Sequence, residues 1–126
     1  MSLHVVLDDP QRPPPVGDAA CICRLLQAAT AAAFGVPVEA LRAPSRRSAD
    51  IAFARQSAMY LAHVALGLSY SAVGALFHRD RTTAAHACQL VEDRRDDPAI
   101  DTLLQTLEYV CCKLASEVLA ELRVGR

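Results

Sequence analysis

The sequence predicts an all-α fold: a compact helical domain containing a helix-turn-helix, flanked by an additional N-terminal helix and a long amphipathic C-terminal helix. Three observations carry this. Apolar residues recur at intervals of three and four, the period of one helix face, and no segment alternates as a half-buried strand does. The periodic segments open on Ser or Asp and close on Gly, the residues that cap helix starts and ends. The composition is 52% apolar but only 5% aromatic, so the core is built from small and aliphatic side chains that let helices approach closely. A chain of 126 residues supports one core. Residues 1–17 read as an extended, Pro-rich segment ending in 'QRPPPVG', and residues 18–126 as a single helical domain.

Taken in order, Asp18 is placed to cap a helix through Ile22, Leu25, Leu26, Ala29 and Ala33, closed by Gly35. A turn of helix, 'VPVEAL', follows with Pro37 suited to its first position. The polar break 'APSRRS' offers Ser45 or Ser48 as the next cap. From Ala49 a long helix carries Ile51, Ala54, Ala58, Leu61, Ala62 and Ala65 and ends at Gly67. Ser69 caps a short helix with Val73, Leu76 and Phe77, and Gly74 suits a close helix approach. A polar corner, His78 to Arg81, leads into a helix holding Ala84, Ala87, Cys88 and Val91, whose pattern is lost at 'DRRDDP'. The last helix starts near Pro98 and runs through Ile100, Leu103, Leu104, Leu107, Val110, Leu114, Val118 and Leu122.

Net charge is −1, but its distribution is uneven. Residues 42–95 carry eight arginines against Asp50, Asp80, Glu92 and Asp93, whereas both ends are acidic. The basic character lies where a footprint on phosphate needs it. Arg94 and Arg95, with acidic neighbours on both sides, are expected in solvent. The odd set of five cysteines fits reduced thiols packed as small hydrophobes. The histidines show no ligand spacing with Cys or carboxylate, so no metal or cofactor is expected. No nucleophile with a base and an orienting partner can be nominated, so no enzyme is expected either. Charged residues interrupt every helix-length segment, and the N-terminus lacks the form of a secretory signal. A cytoplasmic protein, nucleoid-associated when bound to DNA, is the expectation.

A short helix, a tight corner and a second helix of about four turns are the parts of a helix-turn-helix, whose second helix enters the major groove by its N-terminal residues. 'RDRTT' supplies polar groups for that first turn, and 'AAHAC' an apolar face behind them. Threonine offers a hydroxyl and a methyl, aspartate accepts from a cytosine amine, and arginine forks onto guanine. The candidate DNA-contacting residues are Arg46, Arg47, Arg55, Arg79, Asp80, Arg81, Thr82 and Thr83. Arg46, Arg47 and Arg55 are read either as phosphate or minor-groove contacts or as a solvated charge run. Asp80 is read as a cap on the Thr83 amide, a base contact, or both. His86, one turn on, is structural or a peripheral phosphate contact.

The run 'ARQSAMYL' joined to 'RDRTTAAHAC' resembles the C-terminal DNA-binding domain of the bacterial chromosomal replication initiator DnaA, whose signature is roughly 'ARQ-AMYL-R-LT--SL-EIG--FGGRDHTT--HA'. The likeness covers an initiator-like DNA-binding core at residues 45–88. It implies that Arg55 matches the family's minor-groove arginine, that Asp80, Thr82 and Thr83 match residues at the start of the recognition helix, and that Arg81 replaces a histidine packed on thymine methyls. Three positions depart from the family: the corner is one residue shorter, His63 stands at a basic position, and Tyr70 lies in 'SYSA' where the family has 'SL-E'. No 'GxxxxGK[ST]' loop is present. The reading is sequence-specific binding of double-stranded DNA in control of transcription or replication initiation. The alternative is a protein–protein adaptor that modulates an initiator or its regulators without strong DNA binding. A homodimer spanning two half-sites is the expected assembly if a second copy is used to gain affinity.

Overall fold

A computed structural model describes residues 16–43 and 48–124, and among these every regular element is a helix: α1 (Val16–Phe34), α2 (Val38–Arg42), α3 (Ala49–Val64), α4 (Tyr70–Phe77), α5 (Arg81–Arg94) and α6 (Pro98–Val124). The order and number match the periodic segments of the sequence. Boundaries differ slightly. α1 begins two residues before Asp18, and Pro37 is the extended N-cap of α2 and not its first helical residue. α3 is capped by Ser48, whose hydroxyl accepts from the Ile51 amide at 3.3 Å; Ser45 lies outside the described residues. Ser69 caps α4 in the same way through the Ala72 amide at 3.1 Å. Each cap satisfies one of the donors that a helix start leaves without an intrahelical partner.

α3 is the centre of the fold and touches each of the other five helices. Ala54, Ala58, Ala62 and, just past its end, Ala65 are wholly buried. With only methyl groups at these positions, neighbouring backbones pack close to the α3 axis, and the larger Ile22, Leu26, Leu61, Leu66, Val73, Val91 and Leu104 fill the space between. α6 lies against α1 and α3 through Leu104, Leu107, Cys111, Cys112 and Ala115. Val110, expected on this stripe, is 37% exposed, as is Leu25 of α1 at 38%; helical period places a residue on a face but does not say how far the neighbour covers it.

Arg95 corrects another expectation. It is half-buried, and its guanidinium donates to Asp101 at 2.6 Å and to the Tyr60 hydroxyl at 3.0 Å, while that hydroxyl donates to Glu92 at 2.5 Å. The network locks α3, α5 and the start of α6 together, and burial raises the Tyr60 phenol to about 12. Arg94 stays exposed, with its guanidinium 4.5 Å above the Phe53 ring centre.

All five cysteines are free thiols, and all but Cys21 are buried. Burial pushes Cys23 and Cys111 up to about 12 and Cys88 to about 11. These thiols and the Tyr60 phenol hold their protons more tightly folded than unfolded. Their contribution is complete below the ordinary thiol value of 9.0 and declines as pH climbs toward the folded values. Urea titrations in reducing buffer are therefore expected to show a midpoint that falls progressively once pH exceeds about 9.

Ser57 is fully buried, and its hydroxyl has no hydrogen-bond partner among the described residues. A buried, unsatisfied hydroxyl costs free energy, and alanine is the better helix former. Ser57→Ala is expected to raise stability by about 0.5–1 kcal/mol, read as a higher urea midpoint with unchanged slope.

Candidate nucleic-acid interface

Three residues, His78, Arg79 and Asp80, join α4 to α5. His78 sits in the left-handed region at φ 57°, and this single residue turns the chain, with the Arg79 amide returning to the Gly74 carbonyl at 2.8 Å. A non-glycine residue thus takes the left-handed position, at some local conformational cost. Gly74 is the counterpart of that turn. A Cβ built on it would lie 2.6 Å from the Arg79 carbonyl oxygen, so the corner packs directly on the α4 backbone.

Asp80 is the N-cap of α5; its carboxylate accepts from the Thr83 amide at 2.7 Å. That bond holds the carboxyl below its ordinary value, so the cap is complete above the carboxylate range and lost as pH falls through it. Arg81, Thr82 and Thr83 form the exposed first turn, with His86 and Gln89 exposed farther along. On the other face Ala84, Ala87, Cys88 and Val91 are buried against α3 and α4. Arg81 makes no hydrogen bond or ion pair among the described residues. α5 thus presents a polar N-terminal turn on a rigidly packed helix, the arrangement a groove reader needs.

The remaining expected contacts divide. Arg79 is half-buried and donates to the Phe77 and His78 carbonyls at 3.4 and 3.2 Å and to Ala43 at 3.1 Å. It therefore ties the corner to the residue that ends α2. Arg46 and Arg47 lie outside the described residues; the connection that carries them leaves from this anchored Ala43. Arg55 is only 7% exposed, with Nε on the Leu41 carbonyl at 3.1 Å and Nη2 on Ala40 at 2.9 Å. The resemblance implied a minor-groove role for Arg55; among the described residues its guanidinium satisfies carbonyls at the C-terminal end of α2, where a cation also suits the helix dipole. His63 is held by its Nδ1, which donates to the Leu68 carbonyl at 2.7 Å, and its ring stacks on Tyr70 at 4.3 Å between centres. The two departures at His63 and Tyr70 thus form one contact across the α3–α4 joint. Residues seven apart on either side of a turn share no helical period, so this pairing is not legible in the sequence.

A tight three-residue corner, a capped second helix and an exposed polar first turn define a DNA-binding helix-turn-helix. The family model described as the bacterial dnaA protein helix-turn-helix matches residues 23–91, and the chain belongs to that family. The match begins at Cys23 in α1, well before the stretch that carried the resemblance in the sequence; α2 and the part of α1 from Cys23 onward thus lie within the family's domain. The chain is also similar to chromosomal replication initiator protein DnaA 1 of Protochlamydia amoebophila (strain UWE25), 44% identical over 64 residues. That similarity covers 51% of this chain and only 14% of the relative. Among the described residues, no helix is long and apolar enough to cross a membrane.

Proposed function

We propose that this protein binds double-stranded DNA sequence-specifically, with the N-terminal turn of α5 in the major groove, and acts in control of transcription or replication initiation. The observation that carries this reading is the exposed Arg81, without a hydrogen-bond or ion-pair partner among the described residues, beside Thr82 and Thr83 on a helix whose opposite face is buried. Arg81 reads a guanine edge through its forked donors, and the threonines contact a base methyl or a phosphate. Asp80 caps the helix and fixes the position of that turn. Arg46 and Arg47 contribute phosphate or minor-groove contacts from the connection anchored at Ala43. Arg79 and Arg55 act through position: one sets the corner, the other the end of α2.

Arg81→Ala is expected to weaken binding to a preferred duplex by about 1–3 kcal/mol, or roughly 5-fold to 150-fold, and to relax specificity at one base pair. The urea midpoint should stay unchanged, because the side chain is exposed and makes no hydrogen bond or ion pair among the described residues. Affinity of the parent protein should fall steeply with salt as phosphate-bound ions are released. Equal affinity of parent and variant across selected sites would refute the role given to Arg81. Absence of duplex binding at physiological salt, with a stoichiometric protein partner in ultracentrifugation, would instead establish the adaptor reading.

A further inference from the structure

A cleft of about 450 Å³ opens between α1, α2 and the C-terminal turn of α4. Its size falls within the range of small-molecule sites. The lining is chemically divided. Arg24, Arg42 and His78 contribute cationic or hydrogen-bonding groups, and among the described residues no carboxylate lines it. The apolar part is formed by Leu41, Leu76 and Phe77, of which Leu41 and Phe77 are 2% and 7% exposed.

The polar side is organised by Gln27, a buried residue at 5% exposure. Its carbonyl oxygen accepts from Arg42 Nε at 2.8 Å, which orients the guanidinium and leaves its terminal nitrogens without another partner among the described residues. Arg24 lies one turn before Gln27 on α1, so the two share a helix face. It too has no hydrogen bond or ion pair among the described residues. Two exposed guanidinium groups flank an apolar wall, with no acidic partner among the described residues; an anion that reaches both gains charge-assisted hydrogen bonds. Inorganic anions alone leave the apolar wall uncovered, and neutral apolar molecules leave the arginines unpaired.

We infer that this cleft is a binding site for a small amphiphilic anion, with a carboxylate or phosphate head held by Arg24 and Arg42 and a short apolar body against Leu41, Leu76 and Phe77. The site shares none of the groups assigned to base reading, and it stands or falls independently of DNA binding.

Octanoate, octyl phosphate, inorganic phosphate and octanol are the probes, titrated into the full chain and followed by amide NMR. One or both amphiphilic anions are expected to give saturable shifts centred on Arg24–Gln27, Arg42 and Phe77–His78; which one binds tighter identifies the head group. Octanol and inorganic phosphate should bind at least about tenfold more weakly, because each makes only half of the contacts. Arg24→Ala should weaken the anion by about tenfold while the rest of the spectrum stays superimposable, showing that the fold is retained. Leu76→Ser should weaken it through the apolar half. No saturable shift up to about 10 mM, octanol binding as tightly as the anions, or undiminished binding in Arg24→Ala would each overturn the site.

Discussion

Gly74→Ala is expected to damage the corner of the helix-turn-helix directly. The added Cβ would meet the Arg79 carbonyl oxygen at 2.6 Å and the Asp80 backbone at 3.1 Å. These are backbone atoms that cannot rotate away, so α4 and the corner must separate. Forcing a methyl into such a contact costs about 1–3 kcal/mol, read as a lower urea midpoint. The displacement falls on Asp80 and hence on the first turn of α5, where small misplacement removes directed hydrogen bonds. Duplex affinity at a temperature where the variant is folded is therefore expected to drop by about tenfold or more. Gly35→Ala is the matching control. That residue has φ 67° with nothing within 4 Å of a built Cβ, so the substitution strains the backbone and lowers stability while leaving DNA affinity as it was.

Arg55→Ala should cost about 2–4 kcal/mol, through the carbonyls of Leu41 and Ala40 that lose a charged donor and through the cavity left by the buried stem. Arg55→Lys should recover part of this, because a single ammonium cannot reproduce the planar fork that reaches two carbonyls. Chemical denaturation of the three proteins separates this role from a groove contact. Stability is expected to fall in the order Arg, Lys, Ala, with the salt dependence of DNA binding by the Lys variant unchanged. A lysine variant with parental stability, weaker DNA binding and a shallower salt slope would instead place Arg55 on the duplex.

These two residues also show what the sequence makes legible. Helical period and capping residues suffice for six helices in the right order, because a Ser or Asp before an apolar stripe and a Gly after it act locally. The recognition turn was legible for the same reason: Asp80 is followed by polar residues at one turn and small apolar ones at the next. Gly74 was marked for close approach, although the atom it approaches, a carbonyl of the corner, depends on the turn made by His78. Arg55 was not legible. An arginine in a basic segment looks the same whether its fork meets a phosphate or a carbonyl of the preceding helix, and only the packing of α2 against α3 decides. The same holds for Arg79 and for Arg95, whose partners lie on other elements. The inclusion of α2 and of α1 from Cys23 onward in the family's domain is not legible because an alanine-rich helix carries few distinctive side chains, whereas 'RDRTT' carries several.

Selection of bound fragments from a random duplex library, run with the parent protein and Arg81→Ala at two salt concentrations, tests the central claim most directly. The parent should converge on one sequence at both salts, with total binding reduced at the higher, and the variant should lose preference at a guanine-containing position while keeping the rest. Fragments without a shared sequence from the parent protein, or the same motif at undiminished strength from both proteins, would contradict base reading by the first turn of α5.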